Sequence, residues 1–277
     1  MTALAIRATA SSDLIVPTPT ARRYVMRWYF TGALVAFAIP LIAANLLELH
    51  HDLFLLVYFT IAGTYLASFA AHSRIDWRGW LRTRMWWSLG AGALVAFAIV
   101  RKVVSEASMP HPSGGFFWFE LAWRGVLYGA MDALLLFVFP ATVAYLLLRD
   151  SGPRRRLRFA GLTLLLSMGI TATYHLGYPQ FRGADLVQPE IGAVVAWVPT
   201  ALTGNPIGAV IVHDSYHVAA NVHTYRSEIY LPPDLDGYAE RGSGTAGPAL
   251  AVAWIVAAGA VVYAARRRLF APAEQKR

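Results

Sequence analysis

The sequence predicts an all-α fold: a multispanning membrane helix bundle of about eight transmembrane helices. Three observations predict it. Of 277 residues, 57% are hydrophobic and only 14% charged, a balance outside that of ordinary soluble domains. Apolar runs of about 18 or more residues recur, each able to cross ~30 Å of hydrocarbon. These runs are continuous rather than alternating, which argues against a β-barrel.

Taken in order, the spans are expected at 26–47, 53–72, 85–103, 116–148, 157–177, 187–203, 206–222 and 247–265. Before them, residues 1–21 are rich in Ala, Thr and Ser and contain Pro17 and Pro19. They lack a basic start followed by an apolar core, so a disordered tail is expected and not a cleavable signal peptide. The fourth span is long for one crossing, and it is expected to tilt or to bend near Pro140. Pro189 and Pro199 interrupt the sixth. One transmembrane domain is expected over 22–270, with a short tail at 271–277.

Charge orients the spans. Arg22, Arg23 and Arg27 precede the first, and Arg74, Arg78, Arg82 and Arg84 fill the second loop. Arg149, Arg154, Arg155, Arg156 and Arg158 fill the fourth loop, and Arg266, Arg267 and Arg268 follow the last span. With eight spans, all four groups share one side, and the positive-inside rule makes that side cytoplasmic. Both termini are then cytoplasmic in an integral protein of the bacterial plasma membrane. Arg101 and Lys102 are the one paired exception. This distribution accounts for the net charge of +8 with the lipid bilayer as partner and no nucleic acid. The chain has no cysteine, which excludes disulfides, thiolate metal sites and a cysteine nucleophile.

Ionisable groups within the spans cost at least ~2.5 kcal/mol each on insertion scales, so they are functional candidates by default. Glu120 and Arg124 stand four apart on one helix face, and Tyr128 and Asp132 continue it. An intrahelical ion pair is the structural alternative for Glu120 and Arg124. His213, His217 and Asn221 stack at i, i+4 and i+8. Two imidazoles at that spacing suit a metal platform or an oxyanion donor pair, and helix–helix hydrogen bonding is the alternative. Asp214 and Tyr216 are expected on other faces. His175 closes the fifth span, where an interfacial role competes with a catalytic one. His50, His51, His72, His111 and His223 fall at span ends or in loops and read as surface residues. Counting depth from the span ends places Glu120, His175, His217 and Asn221 near one membrane face. Convergence of Glu120, His175 and His213 or His217 on one cavity is the resulting expectation.

Three motifs in order resemble the CPBP family of intramembrane metalloproteases, also called the CAAX prenyl protease or Abi family. Glu120-Leu-Ala-Trp-Arg124-Gly125 resembles its Glu-Glu-x-x-x-Arg-Gly motif, with Phe119 in place of the first glutamate. Thr171-Ala-Thr-Tyr-His175 resembles Phe-x-x-x-His, with Thr171 in the aromatic position. His217-Val-Ala-Ala-Asn221 resembles His-x-x-x-Asn, and His213-Asp-Ser-Tyr-His217 offers a second register. The resemblance covers about residues 116–224.

It implies a CPBP-like core and an endopeptidase acting on a membrane-associated peptide or protein. It implies Glu120 as general base, with His175 polarising water and Arg124 orienting the carboxylate. His213, His217 and Asn221 would stabilise an oxyanion or complete a metal site. Zn²⁺ or another divalent ion would be held by Glu120, His175 and His217; without a metal, the site works by general base catalysis. Asp132 is a substitute base should the cavity reach its depth. The competing readings are an inactive CPBP-like scaffold or immunity protein, which Phe119 favours, and a bis-histidine haem or metal-binding oxidoreductase.

Overall fold

The computed structural model describes residues 19–73, 75–105, 113–148 and 155–223, and all of 249–260 except 250 and 258. Among these residues there is no β-strand. Helix α1 (Pro19–Ile39) runs on as a π-helical segment, Pro40–Leu46. Next come α2 (His51–His72), a short α3 (Trp77–Arg82) and α4 (Met85–Val104). The long α5 (Gly114–Leu147) follows, then α6 (Arg155–Leu176), α7 (Val187–Thr203) and α8 (Ile207–His223).

Among the described residues, five helices are long and apolar enough to cross a membrane: Ala21–Leu46, His51–His72, Met85–Val104, Gly114–Leu147 and Arg155–Leu176. They fall where the first five spans are expected. Large apolar side chains such as Phe30, Leu34, Leu94, Phe97 and Leu165 are exposed on them. That much apolar surface fits hydrocarbon rather than water. The sixth and seventh expected spans fold as α7 and α8, each only 17 residues long. A helix of that length reaches about 26 Å, short for a ~30 Å core. The expected eighth span lies partly outside the described residues, which are helical at 251–257. The N-terminal tail lies outside them over residues 1–18, as do the C-terminal tail at 271–277 and the loop at 224–246.

Helix α5 is not uniform. Its α-helical turns Gly114–Glu120, Tyr128–Ala133 and Phe139–Leu147 are separated by π-helical stretches at Leu121–Leu127 and Leu134–Val138. The second stretch ends two residues before Pro140, whose missing N–H removes one ladder bond. Such wide turns recur at functional sites. Here they flank the turn that carries Asp132.

Glycines set how closely α8 approaches its neighbours. It packs along α4 and along the middle of α5. A Cβ on Gly92 of α4 would stand 2.7 Å from the carbonyl oxygen of Gly208 on α8. That atom is backbone and cannot rotate away. We expect Gly92→Ala to destabilise the protein by about 1–3 kcal/mol, as overpacking does. Thermal unfolding in detergent would show it, and an unchanged midpoint would contradict this close approach. Asn205 fixes the start of α8. Its amide donates to the carbonyls of Leu81 and Thr83 at 2.7 and 2.9 Å, and its Oδ1 accepts from the Ile207 N–H at 3.0 Å. Ser88 Oγ donates to the Asn205 carbonyl at 2.8 Å and accepts from the Gly208 N–H at 2.9 Å.

Candidate functional site

Among the described residues, two separate clusters of buried ionisable side chains concern the site. The first joins α5 to α8. Asp132 lies on the short turn between the π-helical stretches, and His213 and His217 are one turn apart on the facing side of α8. His213 Nε2 donates to Asp132 Oδ2 at 2.8 Å. The His213 and His217 Nε2 atoms are 3.3 Å apart, and His217 Nε2 is 3.8 Å from Asp132 Oδ2. From α2, Tyr58 Oη donates to the other carboxylate oxygen, Oδ1, at 2.7 Å. Asp132, His217 and Tyr58 are buried.

The approach of α8 depends on Gly125 and Gly129, which repeat at i, i+4 along α5. A Cβ on Gly129 would lie 3.0 Å from Asp214 Cα and 3.2 Å from His217 Cβ. The Asn221 amide packs over Gly125. Small residues four apart let two membrane helices close up, and this pair brings His217 to Asp132. The Tyr128 ring then meets the His217 imidazole edge-on, with centroids 4.7 Å apart.

A cavity of about 290 Å³ opens over this cluster. Asp132, His213 and His217 line it together with His175, Tyr128 and Tyr174. Tyr128 Oη and Tyr174 Oη share a hydrogen bond of 2.6 Å, and Tyr174 Oη lies 3.2 Å from Tyr178 Oη. His175 Nδ1 lies 2.8 Å from the Thr171 carbonyl oxygen. A carbonyl only accepts, so Nδ1 carries the proton and Nε2 of the neutral ring keeps its lone pair. The rings of Tyr174 and Phe181 hold the imidazole edge-on from two sides.

The second cluster is an ion network. Arg124 Nε and Nη2 donate to the two Asp52 carboxylate oxygens at 2.9 and 3.1 Å, a bidentate pair. Arg124 Nη1 donates to Glu120 Oε1. All three residues are almost wholly buried, Arg124 and Glu120 at 1% exposure and Asp52 at 3%. Glu120 is not among the residues that line the cavity.

His175, His213 and His217 line one cavity without Glu120, so the expected convergence of Glu120 with His175 and His213 or His217 does not form. The expected ligand set of Glu120, His175 and His217 is not the one that gathers. Among the described residues, the metal-competent group is Asp132, His213 and His217, with donor atoms all within 4.8 Å of one another. Asn221 is buried, and its amide donates to the His217 carbonyl at 2.8 Å rather than into the cavity. Tyr216, expected on another face, also lines the cavity. His51, expected at the surface, is buried, and neither ring nitrogen has a hydrogen-bond partner. Tyr58 and Asp52 were not foreseen. Both come from α2, far from the motifs, and no local spacing connects them to Asp132 or Arg124.

No family model, curated protein or solved structure matches the chain.

Proposed function

We propose that the protein is an intramembrane hydrolase of the CPBP type, an endopeptidase that holds a divalent cation at Asp132, His213 and His217. The observation that carries this reading is the donor triangle. Its three edges of 2.8, 3.3 and 3.8 Å bracket the separation of about 3.3 Å between ligands of a tetrahedral ion bonded at ~2.0–2.1 Å. The set is chemically suitable, with two imidazoles and one carboxylate, and three protein donors would leave one coordination position open. Tyr58 fixes the carboxylate through its second oxygen, the kind of outer contact that orients a ligand. His217 Nδ1 is buried without a hydrogen-bond partner among the described residues.

Asp132, His213 and His217 would hold a divalent ion, whose chemistry when bound would be Lewis acidity toward a substrate carbonyl and water. The protein's own groups do the rest. Asp132 brings negative charge and anchors the two imidazoles. His175 accepts a proton at Nε2 while its Nδ1–H stays on the Thr171 carbonyl. The buried helices keep bulk water away, which strengthens each of these interactions. The ordered resemblance to CPBP motifs supports the choice of a membrane-associated peptide or protein as substrate.

Calorimetric titration of chelator-stripped protein with Zn²⁺ tests the reading. One ion per chain is expected for the wild type, and none at comparable affinity for His217→Ala. Equal binding by both proteins would remove the proposed centre.

A further inference from the structure

We infer that the cavity takes the alkyl chain of a membrane lipid with an anionic headgroup, and that Lys102 at its mouth pairs with that headgroup. The inference rests on the hydrolase reading for its site and goes beyond it, naming a lipid as a further ligand of the same cavity. Between the polar floor and the mouth, the walls are apolar, with Ile99, Leu136, Phe137 and Phe181 prominent. At about 290 Å³, the space is at the low end for ligand pockets, ~300–1,000 Å³. It has room for a single alkyl chain.

The mouth lies in the wall formed by α4 and α7. Lys102, on the last turn of α4, and Ile191, near the start of α7, both line the cavity and are exposed. Ile191 is 60% exposed and continues the apolar outer surface of α7 with Val187 and Val194. Ile191 thus gives the mouth an apolar side for a chain in the surrounding hydrocarbon, beside the polar Lys102 and Gln188.

Lys102 supplies the charge argument. Arg101 and Lys102 are the paired exception to the arginine distribution that orients the spans, so general topology does not account for a cation here. The structure places Lys102 where an apolar cavity meets the exterior of the bundle. A lysine at a helix end lays its stem along apolar surface and presents its ammonium at headgroup level. Basic side chains at that level favour anionic lipid.

The test uses a twelve-carbon alkyl phosphate with a diazirine at the far end of the chain, and the phosphocholine analogue as its neutral counterpart. Full-length, chelator-treated protein is irradiated with each probe in neutral nanodiscs, and the adducts are mapped by peptide mass spectrometry. The phosphate probe is expected to label peptides bearing Phe137 or Phe181. Lys102→Gln is expected to lower that labelling about fivefold, Lys102→Arg to retain it, and Ile191→Trp to block it. Both positions are exposed, so these variants leave the fold intact. Equal labelling by the two probes, or labelling unchanged in Lys102→Gln, overturns the inference. Because the metal is absent throughout, failure here is distinct from failure of the zinc titration.

Discussion

Asp132→Asn is expected to lower hydrolysis on the order of 10³-fold or more, whereas Glu120→Gln lowers it less than about tenfold. The first change keeps the shape of the side chain but removes its negative charge and turns one of its two acceptor oxygens into a donor. Asp132 touches His213 directly and lies on the cavity wall, so the three-donor group loses its anion. Groups that act as a unit fail together, which puts the loss well beyond that for one donor. Glu120 is turned away from the cavity, onto Arg124. Its amide variant leaves the Arg124–Asp52 pair in place and keeps the first cluster untouched. The comparison is decisive because the motif resemblance gives the central carboxylate role to Glu120, whereas the proposed centre gives it to Asp132. Hydrolysis of a membrane-anchored reporter peptide by the two variants in parallel is the measurement. Loss in Glu120→Gln with survival in Asp132→Asn would return the role to Glu120 and dissolve the proposed centre.

The sequence was informative about helices and uninformative about which polar groups share a depth. Apolar runs locate α1, α2, α4, α5 and α6 because hydrocarbon leaves a span few alternatives to a continuous helix. The i, i+4 spacing of His213 and His217 likewise survives folding, since both sit on one helix. Depth did not transfer between helices. Counting from span ends placed Glu120 level with His217, but α5 runs 34 residues from Gly114 to Leu147, longer than a ~30 Å core requires. Its first turns therefore do not mark the start of the cavity. Asp132 is twelve residues further along, about 18 Å at α-helical rise, and it is this turn that meets His213. The signal that could have found it was Gly125 and Gly129, whose spacing marks where α8 closes on α5. Nothing comparable marked Tyr58 or Asp52. Each makes its bond across more than 70 residues of chain, and only the packed bundle brings them to α5.

Replacing Arg124 is expected to produce the largest loss of stability in the protein. In Arg124→Leu, the Asp52 and Glu120 carboxylates stay buried without their shared cation. Breaking a buried pair by removing one partner costs about 3–5 kcal/mol. For a chain of this size, that corresponds to a fall in unfolding midpoint on the order of 10 °C. Arg124→Lys is expected to fall between the two, because an ammonium cannot reproduce the two-pronged contact with Asp52 while also reaching Glu120. The triple variant Asp52→Asn, Glu120→Gln, Arg124→Leu is expected to recover most of the loss, since it removes the stranded charges together with their partner. Thermal unfolding of the four proteins in one detergent measures the series. An Arg124→Leu midpoint equal to that of the wild type would mean that the two carboxylates find water or protons once the guanidinium is gone. The network would then no longer be the anchor of α2 on α5. A triple variant no better than Arg124→Leu would place the loss in the packing of the arginine stem rather than in unpaired charge. The zinc stoichiometry of each folded variant separates the clusters: it is expected to stay at one ion per chain throughout, because no member of the Arg124 network touches Asp132, His213 or His217.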